Sequence, residues 1–339
     1  MKGIFFADRS SPAFSQATFY EVFNEYTIER LSNLIEISPE ILDRNRMSEM
    51  ADTLAETELL FSSWGIGELT EQEIQTYFPK LKAVFYAAGT VKFFAQPFFN
   101  CGIRVFSSQA ANAVPVAEFT LAHILLANKG AIPTFHKYGQ DGYASAKAYA
   151  GRFEGNFESR VGILGAGRIG RKVIELLQPF DLDVLVYDRF LSDEDAAALG
   201  ASRASLDLIF STCGVISNHL ADNPETRGLI HYEYLSQMND YSTLINTGAG
   251  PQIPTPDLLA VLRENQTLTA VLDVTEPEPL PTEHPFFAMK NVILTPRISG
   301  SISNEVARMG EYMLEECEAF MKGHTLRYEI LPEMLHTLG

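Results

Sequence analysis

The stretch VGILGAGRIGRKVIELL, residues 161–177, decides the fold. Val161–Leu164 is a short apolar run, the pattern of a buried strand. Gly165-Ala166-Gly167-Arg168-Ile169-Gly170 follows, and the apolar spacing then takes a helical period as far as Leu177. Each glycine answers a steric demand. Gly165 permits the tight turn, Gly167 lets backbone approach a pyrophosphate, and Gly170 lets the helix pack on the strand. A helix that starts there presents free N–H groups and the positive end of its dipole to phosphates. The next strand candidate, Val184–Tyr187, ends in Asp188, where an acid accepts from the ribose 2′-hydroxyl. A carboxylate there repels a 2′-phosphate and favours NAD over NADP. Arg189 beside it pulls the other way, because an arginine can hold that phosphate. A glycine-rich turn alone is a weak signal. The strand before it, the helix after it and the acid beyond it supply a dinucleotide-binding context.

Outward from this unit, strand-like and helix-like runs alternate, which indicates an α/β fold with parallel sheets. Downstream strand candidates are Val215–Asn218, Thr243–Asn246, Thr269–Asp273 and Val292–Thr295, giving six in all, the number of a complete dinucleotide fold. Upstream, Gly3–Ala7, Leu59–Ser62, Ala83–Ala87 and Arg104–Ser107 read as strands of a smaller doubly wound domain. Helical stretches lie between them at Thr18–Leu31 and Thr70–Tyr77, with Thr70 and Glu73 at capping-box spacing. Val116 to Lys129 is apolar nearly all round and is expected to be a buried helix. Gly139 to Gly155 has little periodicity and reads as loop. A final helix is expected from beyond Ser301 to about Lys322.

The bulk numbers set limits. The 339 residues suffice for two domains, and 46% apolar with 20% charged residues is ordinary for a globular chain. A net charge of −17 argues against nucleic acid or an anionic membrane as partner. It does not exclude an acidic substrate, because one arginine can hold a carboxylate. Cys101, Cys213 and Cys317 have neither metal nor redox spacing and read as reduced thiols, so no metal site is expected. The start, MKGIFFADRS, does not fit a signal peptide. The longest apolar candidate, Phe119–Ala127, is broken by His123 and falls short of a membrane span. A cytoplasmic protein is expected.

Seven stretches together resemble the D-isomer-specific 2-hydroxyacid dehydrogenases: AAGT (87–90), VAEFTLAHIL (116–125), VGILGAGRIG (161–170), NPETRGLI (223–230), LINTGAG (244–250), LDVTEPEPLP (272–281) and ILTPRISGS (293–301). Their order and spacing match across nearly the whole chain. The resemblance implies two doubly wound Rossmann/flavodoxin-like domains. A cofactor domain, 111–301, would be inserted into a substrate domain made of 1–110 plus 302–339. It implies NAD as cofactor, a small carboxylate substrate and a homodimer formed largely through the cofactor domain. It extends the cofactor-binding set beyond Gly165, Gly167, Arg168, Ile169, Gly170 and Asp188 to Thr226 at the phosphates, Asp273 at the nicotinamide carboxamide, Thr247 and Gly300. The substrate carboxylate would meet backbone at Ala88, Gly89 and Thr90. Apart from the resemblance, Trp64 stands in a loop after a strand of the smaller domain, where it reads equally as a wall of the substrate site or as a packing residue.

Family catalysis uses an arginine that holds the keto acid, a histidine that protonates the carbonyl oxygen and a glutamate that orients the histidine. Glu278 matches the glutamate. The arginine's place is taken by Ala249, and the histidine's, after Thr295-Pro296, by Arg297. Alanine cannot bind a carboxylate, and arginine cannot shuttle protons near neutral pH. Arg297 beside Glu278 favours an ion pair over a proton donor. Two readings follow. Arg297 takes over anion binding and carbonyl polarisation, with Glu278 as partner and the proton coming from water or another side chain; Tyr86, just before the Ala-Ala-Gly turn, reads as core rather than acid. Alternatively the chemistry is lost, and the protein is a catalytically silent NAD(H)-binding sensor or scaffold. His219 and His123 read as structural.

Overall fold

The computed structural model describes residues 1–336. Its packing divides the described residues into two compact units, Met1–Asn112 with residues 301–336, and Ala113–Gly300.

The first unit is a six-stranded sheet built from β1 (Lys2–Ala7), β2 (Glu36–Asp43), β3 (Leu59–Ser62), β4 (Ala83–Tyr86), β5 (Arg104–Ser107) and, late in the chain, β13 (Glu329–Ile330). Their order is β2-β1-β3-β4-β5-β13, all parallel except that β13 runs antiparallel to β5. The chain leaves β1 to one side for β2 and returns on the other for β3, which makes the β1/β3 junction the switch point of the sheet. Phe5, Phe61, Phe85 and Phe106 stand at paired positions on β1, β3, β4 and β5. Their ring centroids are 6.0, 5.0 and 4.8 Å apart, and none is exposed. Each such burial stabilises by roughly 1.5–3 kcal/mol, so this ladder is the spine of the unit.

Local chemistry explains where the reading and the structure part. The expected helix Thr18–Leu31 is two helices, Gln16–Val22 and Glu25–Leu34. Asn24 leaves helical geometry between them, and its side chain accepts from Thr27 N at 3.0 Å, capping the second. The capping box of Glu71–Tyr77 is present: Thr70 N donates to Glu73 Oε2 at 2.8 Å, and Glu73 N donates to Thr70 Oγ1 at 3.2 Å. Strand β2 escapes notice because Pro39 and three acids dilute its apolar pattern. A proline is tolerated there because the strand lies at the sheet edge.

The second unit is a seven-stranded parallel sheet: β6 (Ser159–Leu164), β7 (Leu182–Tyr187), β8 (Ser202–Arg203), β9 (Val215–Asn218), β10 (Thr243–Asn246), β11 (Thr269–Leu272) and β12 (Val292–Leu294). Their order is β8-β7-β6-β9-β10-β11-β12. The two-residue β8 adds one edge strand to the six expected. Val161, Ile163, Val186, Val215, Ile245 and Val271 pack on one face, while Leu164, Leu185, Ile216, Leu244 and Ala270 pack on the other. Burial on both faces is why these strands read as continuous apolar runs.

Two expectations for the connecting region are corrected. Gly139 to Gly155 is loop only from Gly151 onward: Ala131–Ala150 is helical, interrupted at Gly142, whose φ is +77°. Its alanines and lysines are good helix formers, which the single glycine break disguises. The helix Gln109–Asn128 packs Ala117 and Ile124 into the core of the second unit but leaves Leu126 46% exposed, so it is not buried all round. Among the described residues it is the one helix long and apolar enough to cross a membrane by length and composition, which the interruption at His123 had argued against.

Candidate cofactor and catalytic site

The glycine turn follows β6 directly and is laced to both neighbouring strands. Gly165 N donates to Tyr187 O at the end of β7, and His219 N, just after β9, donates to Leu164 O, both at 2.7 Å. Gly165 has φ +93°, and a Cβ there would meet His219 O at 2.7 Å. Only glycine fits such a turn. A Cβ on Gly170 would lie 1.9 Å from Gly165 O, so the helix Arg168–Leu177 touches the turn by backbone. Gly167 differs: nothing lies within 4 Å of a Cβ built on it. It caps the helix without a side-chain hydrogen bond, so no cap side chain takes up the first N–H groups of this ten-residue helix. Arg168 stands exposed at that end, and Ile169 packs against the core. A pyrophosphate fits this cradle.

Asp188 completes it. Its Oδ2 accepts from Ala166 N and its Oδ1 from Phe190 N, both at 2.8 Å. The carboxylate is therefore fixed between the glycine turn and the strand end, where a ribose hydroxyl has an acceptor waiting. Arg189 forms an ion pair with Glu225, with Nη1 to Oε2 at 2.5 Å. Thr226 is buried, and its hydroxyl donates inside its own turn, to Ala221 O at 2.6 Å. It shapes the loop after β9.

His219 is buried, with Nε2 2.9 Å from Ser217 Oγ and Nδ1 without a partner in the structure. Burial pulls its pKa down to about 3, so the ring is neutral. His123, against the Phe119 ring, is likewise lowered by burial.

A cluster of buried amides carries the loop that contains Ala249. Asn218 and Asn246 are paired across β9 and β10. Asn218 Nδ2 donates to Asn246 Oδ1 at 3.0 Å and to Gln252 Oε1; Gln252 Nε2 donates to Leu220 O at 2.7 Å; Asn246 Nδ2 donates to Ala249 O at 3.2 Å. Sequence reading missed these residues. The available signal was a polar residue closing each of two apolar strands. Thr247 follows, buried, 3.2 Å from Thr120 between hydroxyl oxygens.

Asp273, just past β11, is 3% exposed. Its Oδ1 accepts from Thr295 Oγ1 at 2.6 Å and Ile298 N at 2.8 Å, and its Oδ2 accepts from Ser299 N at 3.0 Å and Ser299 Oγ at 2.5 Å. These four donors use the lone-pair positions of a carboxylate, so Asp273 clamps the turn 295–299 and positions what that turn carries. Gly300 follows, half-buried. At its apex Arg297 has φ +55°, in the left-handed region that costs an L residue about 1–2 kcal/mol. Arg297 N donates to Asp273 O at 3.2 Å, and its Nε donates to Glu278 Oε1 at 2.5 Å. The hydrogen bond to Glu278 raises the guanidinium pKa further. The turn thus presents a permanent cation, already paired, on a side chain that is 66% exposed.

In the first unit, the carboxyl ends of β1, β3 and β4 surround an open cavity of about 500 Å³ lined by Asp8, Arg44, Trp64, Tyr86 and Phe93 among others. Gly65, at φ +86°, accepts from Asp8 N at 2.7 Å and fixes the loop that carries Trp64. Arg44 donates from Nε to Glu68 O at 2.8 Å and pairs with Glu73 at 3.3 Å. Tyr86 is 2% exposed, packs edge-on to Phe94 at 4.8 Å, and burial pushes its phenol well above the ordinary value, so it is core rather than acid. Ala88 and Gly89 follow β4, and their carbonyls accept from Ser107 Oγ at 3.2 and 2.6 Å. Thr90 is exposed at the end of that turn. Among the described residues no group of acids, histidines and cysteines is placed to hold a metal.

Residues 121–299 match the family described as D-isomer specific 2-hydroxyacid dehydrogenase, NAD binding domain. A glyoxylate reductase of Aeropyrum pernix is 33% identical over 229 residues, 66% of this chain and 68% of that protein. A D-3-phosphoglycerate dehydrogenase of Archaeoglobus fulgidus is 28% identical over 67% of this chain, and the match spans 42% of its length. The NAD-dependent formate dehydrogenase of Staphylococcus aureus, solved in complex with NAD, shares the fold with a TM-score of 0.65 at 22% identity, over 98% of this chain and 99% of that one. With the glycine cradle, the fixed Asp188 and these matches, the chain belongs to the D-isomer-specific 2-hydroxyacid dehydrogenase family, and its second unit is that family's NAD-binding domain.

Proposed function

We propose that the protein is an NAD-dependent oxidoreductase for a small hydroxy or keto acid, working with an altered catalytic set. Bound nicotinamide supplies or accepts the hydride. Arg297 takes the place of the missing histidine as the cation that holds the acid and polarises its carbonyl, stabilising negative charge as it develops on oxygen. Glu278 orients the guanidinium through the 2.5 Å hydrogen bond, and Asp273 fixes the turn from beneath. The proton comes from water, because the guanidinium holds its own and Tyr86 is buried. The observation that carries this reading is the Arg297–Glu278 pair, mounted on a strained and clamped turn, since strain held in place by four hydrogen bonds marks a functional residue.

A second reading has its own support. Arg297 is already neutralised, and Ala249 offers no charge, which suits a silent NAD(H) sensor. NADH oxidation against glyoxylate, hydroxypyruvate and pyruvate separates the two. Steady turnover that Arg297→Ala abolishes supports the enzyme. Saturable NADH binding with no turnover on the whole panel favours the sensor, and turnover indifferent to Arg297→Ala removes Arg297 from the mechanism.

A cytoplasmic homodimer completes the proposal. The three unpaired thiols suit a reducing compartment. Phe135 at 73% and Tyr143 at 69% exposure on the helix Ala131–Ala150 leave aromatic surface for a second copy to cover.

A further inference from the structure

We infer that Glu225 sets the cofactor preference of this chain by holding Arg189 away from the ribose 2′ position. The inference rests on the NAD reading of the glycine turn. Strand order β7-β6-β9 puts the loops after β7 and β9 on either side of that turn. Asp188, the acid for the ribose, is pinned by Ala166 N and Phe190 N. The next residue, Arg189, is the cation placed to meet a 2′-phosphate. In the structure its guanidinium instead reaches across to Glu225 at 2.5 Å.

The backbone that carries Glu225 is fixed in its turn: Glu225 N and Thr226 N donate to Asn223 Oδ1 at 3.0 and 3.1 Å, and Thr226 Oγ1 donates to Ala221 O at 2.6 Å. The carboxylate projects from that turn to meet the arginine. Two neighbouring cations are engaged as well: Arg203 pairs with Asp193 at 3.5 Å, and Arg171 Nε donates to Ala166 O at 2.8 Å. Glu225 therefore acts against a 2′-phosphate by occupying its natural partner. Both side chains are well exposed, 58% and 66%, so the pair is weak and removing it leaves the fold intact.

The test is a titration of the full chain with NADH and NADPH, read by nicotinamide fluorescence, for the native protein, Glu225→Gln, Arg189→Met and the double variant. Glu225→Gln is expected to tighten NADPH binding about threefold to fivefold, with NADH within about twofold, and Glu225→Ala is expected to do the same. The double variant should return NADPH to its native affinity, because the gain needs a free Arg189. NADPH affinity unchanged in both Glu225 variants, or a gain that survives Arg189→Met, overturns the inference. Native protein that binds neither nucleotide overturns the cofactor reading itself.

Discussion

The glycines of the cofactor turn make a paired prediction. In Gly170→Ala the new Cβ starts 1.9 Å from Gly165 O, so helix and turn must part by more than about 1 Å. Overpacking of this kind costs about 1–3 kcal/mol, and the carbonyl of Gly165, whose own N–H is bonded to β7, yields less than a side chain would, which puts the cost near the upper figure. Alanine returns up to about 1 kcal/mol through helix propensity. The net loss is about 2 kcal/mol, which for a domain of this size lowers the melting temperature by about 4–8 °C. NADH affinity should fall at least about tenfold as the helix N-terminus shifts off the phosphates. In Gly167→Ala the Cβ meets nothing within 4 Å, so stability should stay within about 0.5 kcal/mol. NADH affinity should still fall by a similar factor, because the methyl group stands where the pyrophosphate approaches. The assay is thermal unfolding by circular dichroism beside NADH titration on the same samples. A Gly167→Ala protein that binds NADH normally would show that the open face of the turn does not receive the pyrophosphate.

Other consequences are equally direct. Removing the clamp in Asp273→Ala leaves two backbone N–H groups and two hydroxyls without their acceptor, which should cost about 3–5 kcal/mol in urea unfolding; a loss under about 1 kcal/mol would mean the turn 295–299 is held by something else. His219 has a folded pKa of about 3 against an ordinary value near 6.5, so below pH 6.5 the unfolded chain takes up a proton that the folded one refuses. Stability is then lost progressively from pH 6.5 down toward 3. Between pH 7.5 and 5.5 the native protein should lose about 1.4 kcal/mol more than His219→Gln; equal losses would refute the neutral buried ring. Restoring the family's residues with Ala249→Arg and Arg297→His should change keto-acid turnover. A gain from nothing would favour the sensor reading of the native protein, whereas a fall from a working native rate would favour the altered enzyme.

Legibility followed burial. The six longer strands of the second unit were readable because both faces of the sheet are covered, and the four internal strands of the first unit because they carry the phenylalanine ladder. Edge strands β2 and β8 were not, since one is diluted by Pro39 and the other spans two residues. The helix Ala131–Ala150 was hidden by glycines at 139 and 142, of which only Gly142 breaks it. Within the site, the glycine turn and Asp188 were legible because their spacing is local. The partner of Arg189 lies 36 residues away, and the amide cluster joins Asn218 to Gln252 across 34 residues. No local pattern encodes such pairings. Asp273 was readable as a site residue, but its role as a clamp depends on where Thr295 and Ser299 fold back.

The most direct test of the account is a calorimetric NADH titration of the intact chain. Saturable binding at one site per chain, weakened at least about tenfold in Gly167→Ala while the protein remains folded, is the predicted result. Absence of NADH binding by folded native protein would contradict it.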